Sequence, residues 1–416
     1  MGNADKNRLT ELAKQQLELA YSPQNDAVYK RQWELNNCTG GTCPVVRIET
    51  EGLVHEIVPE RLLMCKSPFA RNIERRILHN IRHFELIGDD RIVPKTFPLE
   101  WHVNIDPYGF PILKEMARFD GINPGYRVNH AINCIEDDFD KLKPLSAWVD
   151  RKLTQQHVND ISWLIGDILP IEMIGWPKGV TFLTRSLLDI ISMECLYSAL
   201  YDDSKGVHRL MEYVLNNALI LMEFYENEGI MYLNNRATDL GNSTYPLTDS
   251  LPASGYNGTP RLIDMFMRTD SQETLGVSPS MYGEFFFPYY QRLCERGGLW
   301  YYGCCEPVSD IWPKYLSQIE NIKKLSISKW CNEEIIASHL ANKPVVYSRK
   351  LDALFLGKDF GIDASGLSDY VKATVITAKG CQIEFLAREV QSFYGNTEKL
   401  RTAVDIIREV CLCYQQ

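Results

Sequence analysis

Apolar positions at Leu9, Leu12, Ala13, Leu17 and Leu19-Ala20 recur at three- and four-residue steps and predict an amphipathic helix. A short strand from Pro44 to Ile48 and a charged helix from about Phe69 to Leu86 follow. From about residue 90 the pattern changes to a rhythm: short apolar run, polar turn, amphipathic helix, short apolar run. It is clearest near the C-terminus. There Gly298–Cys304, Lys324–Ser328, Pro344–Ser348 and Gln382–Leu386 read as strands. Helices are expected at Val308–Ile319, from the cap Asn332 through Leu340, through Tyr370–Ala373, and from the cap Thr397 to about Cys411.

Strands alternating with helices imply a parallel sheet covered by helices. Earlier units are less regular. They comprise a first strand near Val93–Val103, Ile168–Ile174, a long helix near Val207–Asn227, Gly229–Leu233 and Leu262–Met267. With these, eight units are countable, and the expected fold is an α/β (β/α)8 TIM barrel over residues 91–416. Residues 1–90 are expected to form a mainly helical extension packed on that barrel. An open doubly wound sheet is the structural alternative, but no Gly-x-Gly-x-x-Gly or P-loop stretch follows any strand.

Composition narrows the function classes. With 45% hydrophobic and 24% charged residues the chain lies in the globular range. Its formal charge of −10 argues against nucleic acid or an anionic membrane as partner, since both need a basic face. No apolar run is long enough to span a bilayer, and Met1–Lys14 lacks the apolar core of a signal peptide. Twelve scattered cysteines in a chain of 416 residues do not form a small disulfide framework, so reduced thiols in the cytoplasm are expected.

A barrel builds its active site at the C-terminal ends of its strands, which selects a short set of polar residues. They are Asn234-Asn235-Arg236, Arg268 with Asp270 and Gln272, Cys304-Cys305-Glu306, Lys329–Cys331, Arg349-Lys350 and Arg388-Glu389. On a regular strand Tyr302, Cys304 and Glu306 share one face and Cys305 points to the other, so Cys304 and Glu306 are candidate zinc ligands. Against this, free cysteine is a commonly buried, inert residue. Cys381 precedes its strand, at the opposite end of the sheet. No His-x-x-Glu-His, His-Glu-x-x-His or Gly-x-Ser-x-Gly pattern is present.

Asp270-Ser271, Ser278-Pro279, Tyr282, Glu284-Phe285 and Pro288-Tyr289 together resemble the Asp-Ser…Ser-Pro…Glu-Phe…Pro-Tyr run of the uroporphyrinogen decarboxylase superfamily. Met193-Glu194 and Val207–Met211 are similar to that family's helix pair, and the resemblance covers about residues 140–410. It implies a (β/α)8 barrel that is either a cofactor-free tetrapyrrole decarboxylase or a zinc-dependent methyltransferase serving a corrinoid protein or a coenzyme thiol. The decarboxylases' Arg-x-x-x-Gly-Arg segment is missing near residues 90–130, and the last strand ends Ala387-Arg388-Glu389 without the family's histidine. The methyltransferases' His-x-Cys stands here as Tyr302-Gly303-Cys304, with Cys381 at the spacing of their second cysteine and Cys305 or Glu306 to take the missing place.

The resemblance therefore implies a cytoplasmic zinc- and corrinoid-linked methyltransferase acting on a small methylated molecule, with a corrinoid protein as partner and a possible homodimer. In it Cys304, Glu306, Cys305 and Cys381 would hold metal, and Asp270, Gln272 and Glu306 would be catalytic. Asn234, Arg268, Arg349, Lys350 and Arg388 would bind substrate. The alternatives are decarboxylation of a polycarboxylate, with arginines and lysine pairing its carboxylates, and an inert barrel that binds a corrinoid or tetrapyrrole.

Overall fold

Largely apolar, buried runs, several of them followed by a capped helix, build the centre of the protein as a parallel sheet. The structure, a computed structural model, describes residues 2–40, 44–116, 126–177, 179 and 181–414. In chain order its strands are β1 (Val45–Ile48), β2 (Phe97–Glu100), β3 (Val103–Asp106), β4 (Leu113–Met116), β5 (Tyr126–Asn129) and β6 (Ser146–Val149). They continue as β7 (Ile171–Ile174), β8 (Phe266–Thr269), β9 (Leu299–Tyr302), β10 (Ile322–Ile327), β11 (Val346–Lys350) and β12 (Gln382–Ala387).

Six of these pair in the order β1-β12-β11-β10-β9-β8, every neighbour parallel. A second parallel pair joins β2 to β7, and two antiparallel pairs join β3 to β6 and β4 to β5. The fold is thus mixed α/β with a six-stranded parallel sheet. Among the described residues no strand pairing joins that sheet to the β2–β7 pair. Within the described residues no helix is long and apolar enough to cross a membrane.

Capping residues set the helices. Asn332 accepts from the Ile335 amide and starts Glu333–Leu340; Asp363 does the same through Gly366 for Ala364–Thr377. Ser278 accepts from Met281 and starts Pro279–Phe285. Three expectations change. Val308–Ile319 is a series of turns ending in a 3₁₀ turn at Leu316–Gln318, because Pro313 cannot continue a helix and restricts Trp312. Gly229–Leu233 forms no strand, although the Tyr232 amide donates to the Gly175 carbonyl at 3.0 Å. Residues 1–90 are mainly helical, but they also supply β1, the end strand of the sheet, which pairs with β12 and is buried throughout.

The sheet's interior is unusually polar. Tyr301, Lys324, Ser348 and Glu384 are neighbours on β9 to β12 and all are fully buried. Lys324 Nζ lies 3.4 Å from both Glu384 carboxylate oxygens, and Ser348 Oγ donates to Glu384 at 2.5 Å. Thr244 completes this group from a loop, donating to Glu384 at 2.9 and 3.0 Å and receiving a bond from Lys324. That loop is buried over residues 242–248, and within it Asn242 and Ser243 both adopt left-handed backbone, with φ of 59° and 57°.

Candidate functional site

All six strands of the sheet run the same way, so the residues following them meet at one end. The sharpest turn comes after β9. Gly303 has φ 99°, a conformation that favours glycine, and a Cβ there would lie 3.1 Å from the Ser326 Cβ. The chain therefore leaves the strand before Cys304, and strict alternation ends. Cys304 and Cys305, expected on opposite faces, bring their sulfurs to 3.7 Å of each other. Glu306, expected beside Cys304 as a ligand, turns back under the backbone. Its two oxygens accept from the Ser271 amide at 3.0 Å and the Cys304 amide at 2.8 Å. Burial raises its pKa, helped by the Cys304 charge.

Lys350, the last residue of β11, is buried and places Nζ 3.3 Å from Cys304 Sγ and 3.5 Å from Cys305 Sγ. Arg388, just past β12, comes within 4.0 Å of Cys304 Sγ and binds Glu49 at 2.9 and 3.1 Å. Glu389 is exposed; it accepts from the Cys305 thiol at 2.5 Å and lies 3.6 Å from Lys350 Nζ. The Cys305 thiol's hydrogen bond, backed by the charges of Lys350, Arg268 and Arg388, holds Cys304 down at about 4 against burial. Cys305 is pushed up by that same bond and by burial. Burial opposes charge on Lys350, yet the Cys304 thiolate more than restores it and keeps the ammonium above its ordinary range.

Beside this cluster, Arg268 Nη2 pairs with Asp270 at 3.0 Å, and burial with the Glu306 charge raises Asp270 well above the usual carboxylate range. A cavity of about 360 Å³ opens here, walled by Trp176, Phe182, Asp239 and Met267 together with Glu49, Asn242 and Arg268. Asn242 joins cavity to cluster: its amide donates to the Gly303 carbonyl at 3.1 Å, and it accepts from Arg388.

The other expected residues lie elsewhere. Arg349 faces the helices, donating to the Ser328 carbonyl and Glu333 at 2.6 Å each and to Thr374 at 3.2 Å. Asn234 is buried and exchanges two bonds with the Phe266 backbone, at 2.6 and 2.9 Å, so it ties its segment to the start of β8. Cys381 sits at the far end of β12, 3.7 Å from the Ala337 carbonyl, and is not part of the cluster. Gln272 is half-buried at the start of the 3₁₀ turn Gln272–Thr274.

Glu49 and Asn242 enter the site without having been singled out, and Glu389, one of the strand-end residues, enters it without having been given a role. Glu49 directly follows the expected strand Pro44–Ile48, so the strand-end rule applied to the N-terminal segment finds it. Asn242 lies in a loop with no periodic signal.

Cys304, Cys305 and Glu389 offer three ligand atoms within 4.8 Å of one another. Two thiolates each about 2.3 Å from a tetrahedral zinc stand about 3.8 Å apart. The observed sulfur separation of 3.7 Å suits that geometry, and the donor set of two sulfurs and one carboxylate suits a borderline-soft ion. Lys350, against both sulfurs, is the group that an entering cation would displace.

No protein-family model matches the chain, and no curated protein matches it. Among solved structures, a methyltransferase from Methanosarcina mazei is similar over 91% of this chain and 98% of its own, with 12% sequence identity and a TM-score of 0.48.

Proposed function

We propose that this chain is a zinc-dependent methyltransferase on a (β/α)8-type barrel, moving a methyl group between a small molecule and a corrinoid carried by a partner protein. The observation that carries the reading is the Cys304–Cys305–Glu389 cluster at the strand ends. Those three residues would hold zinc, and zinc would supply Lewis acidity toward the methylated heteroatom. The Cys305 hydrogen bond, with the charges of Lys350, Arg268 and Arg388, keeps Cys304 anionic, ready to act as ligand. Glu306 fixes the turn that presents both thiols, and Asn242 and Arg268 form the wall shared with the cavity. A space of about 360 Å³ fits a small substrate.

Decarboxylation of a polycarboxylate is less well supported, because each cation at the site already has a carboxylate. Arg268 pairs with Asp270, Arg388 with Glu49, and Lys350 approaches Glu389.

Metal analysis of purified protein tests the proposal. About one zinc per chain is expected, lost in Cys304→Ala and weakened in Glu389→Ala. Full methyl-transfer activity in metal-free protein would sink it.

A further inference from the structure

Adjacent residues on a strand point apart, but Gly303 turns the chain so that Cys304 and Cys305 lie side by side, both half-buried, with sulfurs 3.7 Å apart. A disulfide needs about 2.05 Å, so a shift of less than about 2 Å separates the two thiols from bonding distance. The surroundings supply the rest of the chemistry. Lys350 Nζ at 3.3 Å and Arg388 at 4.0 Å flank the Cys304 sulfur with positive charge. Glu389 accepts from the Cys305 thiol at 2.5 Å, is exposed, and can pass a proton to water.

We infer that Cys304 and Cys305 form a modification site for hydroperoxides, which closes to a reversible vicinal disulfide. In the first step the Cys304 thiolate attacks the terminal oxygen of the hydroperoxide. The sulfur–oxygen bond forms as the oxygen–oxygen bond breaks, and the leaving alkoxide takes a proton delivered past Lys350. Sulfur is oxidised to the sulfenic acid and the peroxide is reduced to an alcohol, or to water from hydrogen peroxide. In the second step the Cys305 sulfur attacks that of Cys304, its proton passing to Glu389. The sulfur–oxygen bond breaks, and the leaving hydroxide takes that proton from Glu389 and departs as water. Together, two thiols and one hydroperoxide give one disulfide, one alcohol and one water. A ring closed across adjacent residues is strained and hence easily reduced, so the step reverses with a dithiol. Closure would also take both sulfurs away from any metal.

The inference rests on the bare thiols and not on the metal reading, and the experiment separates the two. Full-length protein stripped with EDTA is treated with hydrogen peroxide, and tryptic peptides are weighed. The peptide 297–314 should lose two hydrogen masses and regain them with dithiothreitol. Cys305→Ser should stop at the sulfenic acid, captured by dimedone, and Lys350→Met should slow oxidation about tenfold. The inference is overturned by stable over-oxidation of Cys304 with Cys305 present, by pairing with a different cysteine, or by identical traces from wild type and Cys305→Ser. The same reaction is repeated with added zinc chloride. Protection supports both readings; unchanged closure removes the metal reading and leaves this one standing.

Discussion

Arg349 and Lys350 are neighbours on β11, both basic and both buried, yet they serve different parts of the molecule. Arg349 is locked to Ser328, Glu333 and Thr374 and stacks on Tyr370 at 4.6 Å, whereas Lys350 faces the two thiols. Replacing Arg349 by leucine removes the cation from the half-buried Glu333 carboxylate and leaves it bonds from Tyr347 and Thr374, and a loss of about 2 kcal/mol in urea unfolding is expected, with the thiols unaffected. Lys350→Met should leave the fold largely intact. It should move the pH profile of Cys304 alkylation upward from its midpoint near 4, measured with iodoacetamide on EDTA-treated protein. If Arg349→Leu shifts that profile and Lys350→Met does not, the assignment of the two residues is reversed. Strand alternation makes their opposed directions legible in the sequence. Which of the two points inward depends on what covers each face, and that is not written locally.

Strand and helix positions in the C-terminal third were readable because each apolar run is bounded by a turn and each helix by a cap. Asn332 starts a helix where its spacing said it would, while Pro313 was a breaker inside an otherwise periodic stretch. The N-terminal segment was harder. Its helices are periodic, but the burial of β1 beside β12 is a contact between residues more than three hundred positions apart. The helix Pro68–Ile87 is fixed to that segment by His79 and His83, each 2.8 Å from Thr50 Oγ1, with His83 also 2.8 Å from Asp89. Burial holds both imidazoles below the ordinary 6.5, His79 at about 2. The unfolded chain thus takes up protons first. The stabilisation is complete above pH 6.5 and is lost as the pH falls toward the folded values, by up to about 1.4 kcal/mol per pH unit for each histidine. Urea midpoints should drop between pH 7.5 and pH 5.5, and a His83→Gln variant with an unchanged slope would count against this origin.

At the scale of the whole molecule, the parallel sheet followed from the rhythm of the sequence, but its polar interior did not. Lys324, Ser326 and Ser328 alternate with apolar residues as a solvent-facing edge would, and yet all three are buried. Lys324 meets a loop that enters the sheet's interior, Ser326 and Ser328 bond the Cys304 and Glu306 carbonyls, and nothing in the sequence of that loop announces it. The Lys324–Glu384 pair should behave as a buried ion pair. Lys324→Met leaves an unmatched carboxylate and should cost about 3 kcal/mol, while Lys324→Met with Glu384→Leu should recover much of that loss. Thermal midpoints of the three proteins decide; equal midpoints for the single and double variants would show the charges to be independent.

Connecting segments are ordinarily where related chains drift, gaining and losing residues without penalty. Residues 242–248 would not share that freedom. Thr244 completes the polar interior, Asn242 reaches Gly303, and two successive left-handed residues set the path between. A library randomised across the chain should find this loop as intolerant as a core strand, and its length fixed while neighbouring surface loops vary.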